Sequence, residues 1–103
     1  MDERNSGVVD KVSVFEAFAE SLKAVANGRR LELLELMAQG EHAVEDLARI
    51  TGMAMTTTSA HLQTLKRAGL VVTRRECTTI YYRLGGDDVA ELYTAAKRVI
   101  LSR

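Results

Sequence analysis

The side chains best suited to recognition chemistry lie between Met55 and Arg83. Gln63 carries an amide that can meet an adenine edge with two hydrogen bonds. Thr56, Thr57 and Ser59 carry hydroxyls that suit base edges and phosphate equally. Met55 and Ala60 share the same outward set but offer only apolar contact, so shape readout would have to supply part of any sequence specificity. Lys66, Arg67, Arg74, Arg75 and Arg83 add the cationic charge that neutralises phosphate. Glu76 alone opposes them, which leaves residues 53–85 with a local excess of four positive charges. Residues 1–52 hold six basic residues against ten acidic ones, and the whole chain has a formal net charge of zero. A basic third on an acidic body suits a protein that docks one face on a polyanion.

The remaining reactive groups are few. Cys77 is the single cysteine, which excludes an intrachain disulfide framework and fits a reducing compartment. Arg74 and Arg75 nearby favour its thiolate and Glu76 opposes it. A redox response there would need an intersubunit or small-thiol disulfide, and an incidental exposed cysteine is the plainer reading. His42 and His61 fall on different elements and have no third partner for a metal. His61 reads as a half-buried residue bonding a neighbouring helix or a phosphate. Nothing in the sequence suggests an enzyme or a cofactor: it has no Gly-rich phosphate loop, no nucleophile–base pair and no cleft-sized insertion. No apolar run approaches the roughly 18 residues of a membrane span, and MDERNSGVVD is too polar for a signal peptide, so a cytoplasmic location is expected.

The elements that must position these residues follow from periodicity and glycine. A chain of 103 residues makes one domain. Proline is absent, so Gly28, Gly40, Gly52, Gly69 and Gly85-Gly86 must punctuate it. Residues 1–12 read as a flexible start. Ser13 with Glu16 makes a capping-box signature, although the helix could begin nearer Asp10. Phe15, Phe18, Leu22, Val25 and Ala26 then form an apolar stripe, open to reading as a dimer contact or as core. Asn27 can cap a second helix over about 29–38, rich in leucine and largely buried. Val44, Leu47 and Ala48, joined by Ile50, make the inner face of a third.

Ala48, Gly52 and the row Thr58, Leu62, Leu65 have the spacing of a helix-turn-helix. In that unit the second helix lies in the DNA major groove. Ala48 allows close approach, Gly52 supplies the left-handed turn, and Gly69 ends the fourth helix. Ala43 and Ala54 stand at the starts of the third and fourth helices without a capping oxygen, unless Thr56 or Thr57 caps a shortened one. After Gly69 the period falls to 2. LVVTRR and TIYYRL pair across a tip of Glu76, Cys77 and Thr78, with Tyr82 inward and Tyr81 outward. This two-stranded wing carries Arg74, Arg75 and Arg83 towards the backbone beside the groove. Asp87 or Asp88 caps a last helix whose Val89, Leu92, Tyr93, Ala96, Val99 and Ile100 have little core left to fill. With Phe15, Phe18 and Leu22 they fit an isologous dimer.

The fold class is therefore mainly α with a two-stranded β wing, a winged helix-turn-helix in the order α-α-α-α-β-β-α over residues 13–103. With SLKAVANGRRLELLELMAQGE, DLARITGMAMTTTSAHLQTLKRAGLV and RRE…IYYRL in that order, residues 13–101 resemble the ArsR/SmtB-type winged-helix repressors. The resemblance implies a homodimeric transcriptional repressor that binds double-stranded DNA at a pseudo-palindromic operator and releases it on an inducer. His61 aligns with a histidine common in that family. The family's metal ligands have no counterpart here: Ala43-Val44-Glu45 replaces a Cys-x-Cys, and the last helix offers Asp87, Asp88 and Glu91 without histidine. No metal is expected at those sites, since oxygen ligands alone hold transition metals poorly, and the inducer is unknown. A winged-helix module that binds protein and not DNA is the alternative, as is a thiol-responsive repressor acting through Cys77.

Overall fold

Glycine turns and a change of apolar period divide the chain into its elements. In a computed structural model the described backbone spans residues 3–103, with side chains described from Lys11 onward. The described elements are α1 (Glu3–Val25), α2 (Gly28–Gln39), β1 (His42–Ala43), α3 (Val44–Thr51), α4 (Met55–Arg67), β2 (Val71–Glu76), β3 (Thr79–Leu84) and α5 (Asp87–Leu101).

The core forms where the apolar faces of three helices and the sheet meet. Leu33, Leu34 and Met37 come from α2, Leu47 from α3, Leu62 and Leu65 from α4, and Val71, Tyr82 and Leu84 from the sheet. Asn27 caps α2 as its residue type requires, its Oδ1 accepting the Arg30 N–H at 3.0 Å. Ala48 is buried beside Gly52, whose φ of +73° closes α3 in the left-handed conformation. Thr58, Leu62 and Leu65 are fully buried, the inward row that the spacing predicts.

Several details differ from the sequence reading. Ser13 and Glu16 lie inside α1, which begins upstream at Glu3. Nothing between them and Glu3 forces a helix end, so the capping-box pattern marks no start. Ile50 is 45% exposed and Thr51 buried in its place, because the inner arc of α3 is centred on Leu47, Ala48 and Thr51 and Ile50 falls to its side. The N-cap of α5 is Gly86, with Asp87 and Asp88 in the first turn, where their charge still suits the helix dipole.

The wing has a third strand. β1 pairs antiparallel with β3, giving the order β1-β3-β2. Its register sets His42 opposite Tyr82 and Ala43 opposite Tyr81. Two residues carry too little periodicity to read as a strand, and only the pairing reveals one. Glu76 pairs with Thr79, so the tip is Cys77 and Thr78 alone, with Cys77 at φ +57°.

On the outside, α1 and α5 show apolar surface. Phe15, Phe18 and Leu22 are 60%, 57% and 49% exposed, and Leu92, Val99 and Ile100 are 58%, 54% and 55% exposed. Val89 and Tyr93, from the same predicted set, turn partly onto their own core. Tyr93 donates its hydroxyl to Glu35 at 2.7 Å, and Lys97 reaches the same carboxylate at 2.9 Å. These bonds, the one from Tyr93 first, hold Glu35 down at about 2. Burial, with Glu35 beside it, pushes the Tyr93 phenol up to about 12.

Candidate nucleic-acid interface

Helix α4 is set by the tight turn that precedes it. The Met53 N–H bonds the Ala48 carbonyl at 3.1 Å and the Gly52 N–H bonds Arg49 at 3.3 Å. Thr51 hydroxyl donates to Leu47 at 2.7 Å, and Arg29 donates to the Thr51 carbonyl at 2.7 Å. The end of α3 is thereby tied both to itself and to α2, which fixes where α4 begins.

The first turn of α4 is open. Its N-cap is Ala54, with no side-chain capping bond. Thr56 and Thr57 do not take over that role, since α4 starts at Met55 and the Thr58 hydroxyl back-bonds to the Ala54 carbonyl at 2.9 Å. The amides of this turn are left for an acceptor from outside, and the helix dipole favours an anion there. Met55, Thr56, Ala60 and Gln63 are exposed around it and Ser59 is half-buried, one face by their spacing, while Thr57, also exposed, lies beyond its edge.

His61 faces α2 instead. Its Nδ1 lies 3.3 Å from Arg30 Nη1, and burial, aided by Arg30 and Arg29, pushes its pKa below the usual value. Lys66 and Arg67 sit at the opposite end of α4 from Met55, about 18 Å along the axis at 1.5 Å per residue. They are remote from the turn that would enter a groove.

The wing arginines divide by face. Arg74 pairs with Tyr81 and Val72 with Arg83 across the hairpin, which sets all four on one side, while Arg75 pairs with Ile80 on the other. Arg74 is saturated. Its Nε donates to both Glu41 oxygens at 3.0 and 2.9 Å, its Nη1 to Glu76 at 2.9 Å, and its guanidinium lies 4.4 Å from the Tyr81 ring centre. The pair shifts both partners, Glu41 down and Arg74 up, as mutual charge stabilisation requires. Among the described residues, Arg75 and Arg83 make no side-chain hydrogen bond or ion pair. Glu41 is the functional neighbour the sequence reading missed. It sits next to β1, and without that strand nothing in the sequence places it against the wing.

Cys77 is exposed at the hairpin tip. Among the described residues no three His, Cys, Asp or Glu side chains gather as a metal site.

The family described as bacterial regulatory protein, arsR family, matches residues 27–73, the span from the cap of α2 into β2. A solution structure of the homodimeric winged helix-turn-helix DNA-binding domain Mb0332 from Mycobacterium bovis, described as a possible ArsR-family transcriptional regulator, is 52% identical. It superposes with a TM-score of 0.84, covering 87% of this chain and 83% of that one. The chain belongs to the ArsR family. The HTH-type transcriptional regulator Rv0324 of Mycobacterium tuberculosis is 53% identical over 89 residues, 86% of this chain but 39% of that protein. The biofilm growth-associated repressor of Agrobacterium fabrum is 42% identical over 74 residues, 72% of this chain and 63% of its own length. This ArsR-family chain thus spans about two fifths of Rv0324 and under two thirds of the repressor. The winged helix-turn-helix architecture and the family expected from the residues both hold.

Proposed function

We propose that this ArsR-family chain is a homodimeric repressor that inserts α4 into the major groove of a pseudo-palindromic operator in the cytoplasm. The observation that carries the reading is the open, uncapped first turn of α4, in a chain whose wing leaves Arg75 and Arg83 unpaired among the described residues. Met55, Thr56, Thr57, Ser59, Ala60 and Gln63 read the groove, and Arg75 and Arg83 hold phosphate. The apolar faces of α1 and α5 bring two copies together, which would put paired recognition helices one DNA turn apart. Names of the relatives, which include a DNA-binding domain and a repressor, favour this over a protein-only module.

Selection of bound DNA from a random pool with the purified protein is the test. An inverted repeat with half-sites about 10 base pairs apart is expected. Arg75→Ala with Arg83→Ala should weaken binding across all recovered sequences and flatten the salt slope by nearly one per lost phosphate contact. Recovery of no common sequence, with low-salt affinity no better than that of an acidic control protein, ends the proposal. A reporter whose output rises when the protein is supplied would reassign it from repressor to activator.

A further inference from the structure

A recess on the described surface lies away from the groove-reading turn, between α1, α2 and the C-terminal end of α4. Its volume is about 580 Å³, within the usual range of roughly 300–1,000 Å³ for small-molecule sites. It exists because α1 meets α4 through short side chains. Ala17, Ser21 and Ala24 line it from one side of α1 and Ala68 closes it from α4. The apolar stripe of Phe15, Phe18 and Leu22 lies on a different side of α1, so the dimer contact proposed above leaves the recess open.

Its polar lining is strongly one-signed. Lys23, Arg30 and Arg67 come from three different helices and converge on it, against Glu20 alone. Glu20 pairs with Lys23 at 3.2 Å, but both side chains are about three-quarters exposed (73% and 74%). Such a solvated pair holds Lys23 only weakly. Arg30 is fixed in place by the Ala24 and Lys23 carbonyls and by His61, yet five N–H groups leave donors unused after these bonds. Arg67 spends one donor on Thr64. A held guanidinium meets an oxyanion with little ordering cost of its own, and two adjustable cations beside it can close on the remaining oxygens.

We infer that this recess is a binding site for a small organic oxyanion, a carboxylate or phosphate carrying more than one negative charge. Alanine methyls on its walls suit a carbon skeleton, and Arg30 with Arg67 meets the oxygens. Because the walls come from α1 and α4, an occupant ties the dimerisation helix to the recognition helix. The site stands on the geometry of this chain and not on the DNA proposal.

The test is an amide NMR titration of the full chain with citrate and, separately, inorganic phosphate, each against sodium chloride at matched ionic strength. Saturable shifts at Lys23, Ala24, Arg30, Thr64 and Arg67 are expected, stronger for citrate if the alanine walls contribute. Arg67→Ala should weaken the apparent affinity on the order of tenfold, since one charge-assisted contact is lost, and Arg67→Lys should restore part of it. Lys23→Ala, at an exposed position with no packing role, gives the same readout in a chain that must still fold. Shifts reproduced by sodium chloride, shifts centred on Thr56, Gln63 and Arg75, or full affinity in both alanine variants would each overturn the assignment. None of those results would touch operator binding.

Discussion

Helices α4 and α5 carry comparable apolar stripes and meet opposite fates. On α4, Thr58, Leu62 and Leu65 are sealed within the chain, and the polar residues face outward. On α5 no residue reaches full burial among the described residues, and Leu92, Val99, Ile100 and Leu101 all stand out to solvent. An apolar stripe demands a partner but does not say whose. The partner of α4 is the rest of the domain, whereas α5 rests on its own chain through the half-buried Val89, Ala90 and Tyr93 and a polar tether to Glu35. Its outer face, with that of α1, stays exposed on this chain, where the proposed second copy would pack.

The largest effect should come from the sealed helix. Leu62→Ala removes a fully buried side chain and should cost about 2–5 kcal/mol, read as an earlier denaturant midpoint. A change below 1 kcal/mol would mean that α4 is less committed to the core than its burial indicates. On the open pair, Phe18→Glu with Ile100→Glu should leave the circular dichroism of the fold intact and halve the mass found by sedimentation equilibrium. Loss of the fold itself would show that these side chains serve one chain alone.

The turn that orients α4 should respond more modestly. Gly52→Ala places a Cβ at φ +73°, and nothing lies within 4 Å of it. The cost is therefore backbone strain alone, about 1–2 kcal/mol. A larger loss would point to a displaced α4.

The smallest effect concerns the tether of α5. Glu35 is held at about 2 in the fold against an ordinary 4.5. The lowered folded value means its contribution is complete above about 4.5 and disappears as pH falls towards 2. Glu35→Gln should therefore melt slightly below the parent at pH 7, and the two curves should converge at low pH. A difference that stays constant down to pH 2 would assign the contribution to packing and not to charge.

Much of the architecture was legible because local chemistry and fold agree. Gly52 sits where only glycine turns cheaply, Asn27 carries the oxygen that α2 needs, and the inward row of α4 repeats at helical spacing. The short β1 was not legible, because two residues have no period and become a strand only when β3 lies beside them. Its loss hid Glu41 and left Arg74 to be read as a phosphate contact, whereas the guanidinium is paired with Glu41 and Glu76 and lies over Tyr81. Arg67 was legible as a cation but not as the wall of a recess, since its neighbours Lys23 and Arg30 are distant in the chain.

By itself, then, the sequence determined the helices, the two hairpin strands, their order and the family, because caps, turns and apolar periods act within a few residues of one another. Only the tertiary structure decided which charges are free and which are matched. Residues such as Glu41 and Arg74, or Arg30 and His61, meet across elements, and a side chain's charge counts at a site only after its neighbours in space have been met.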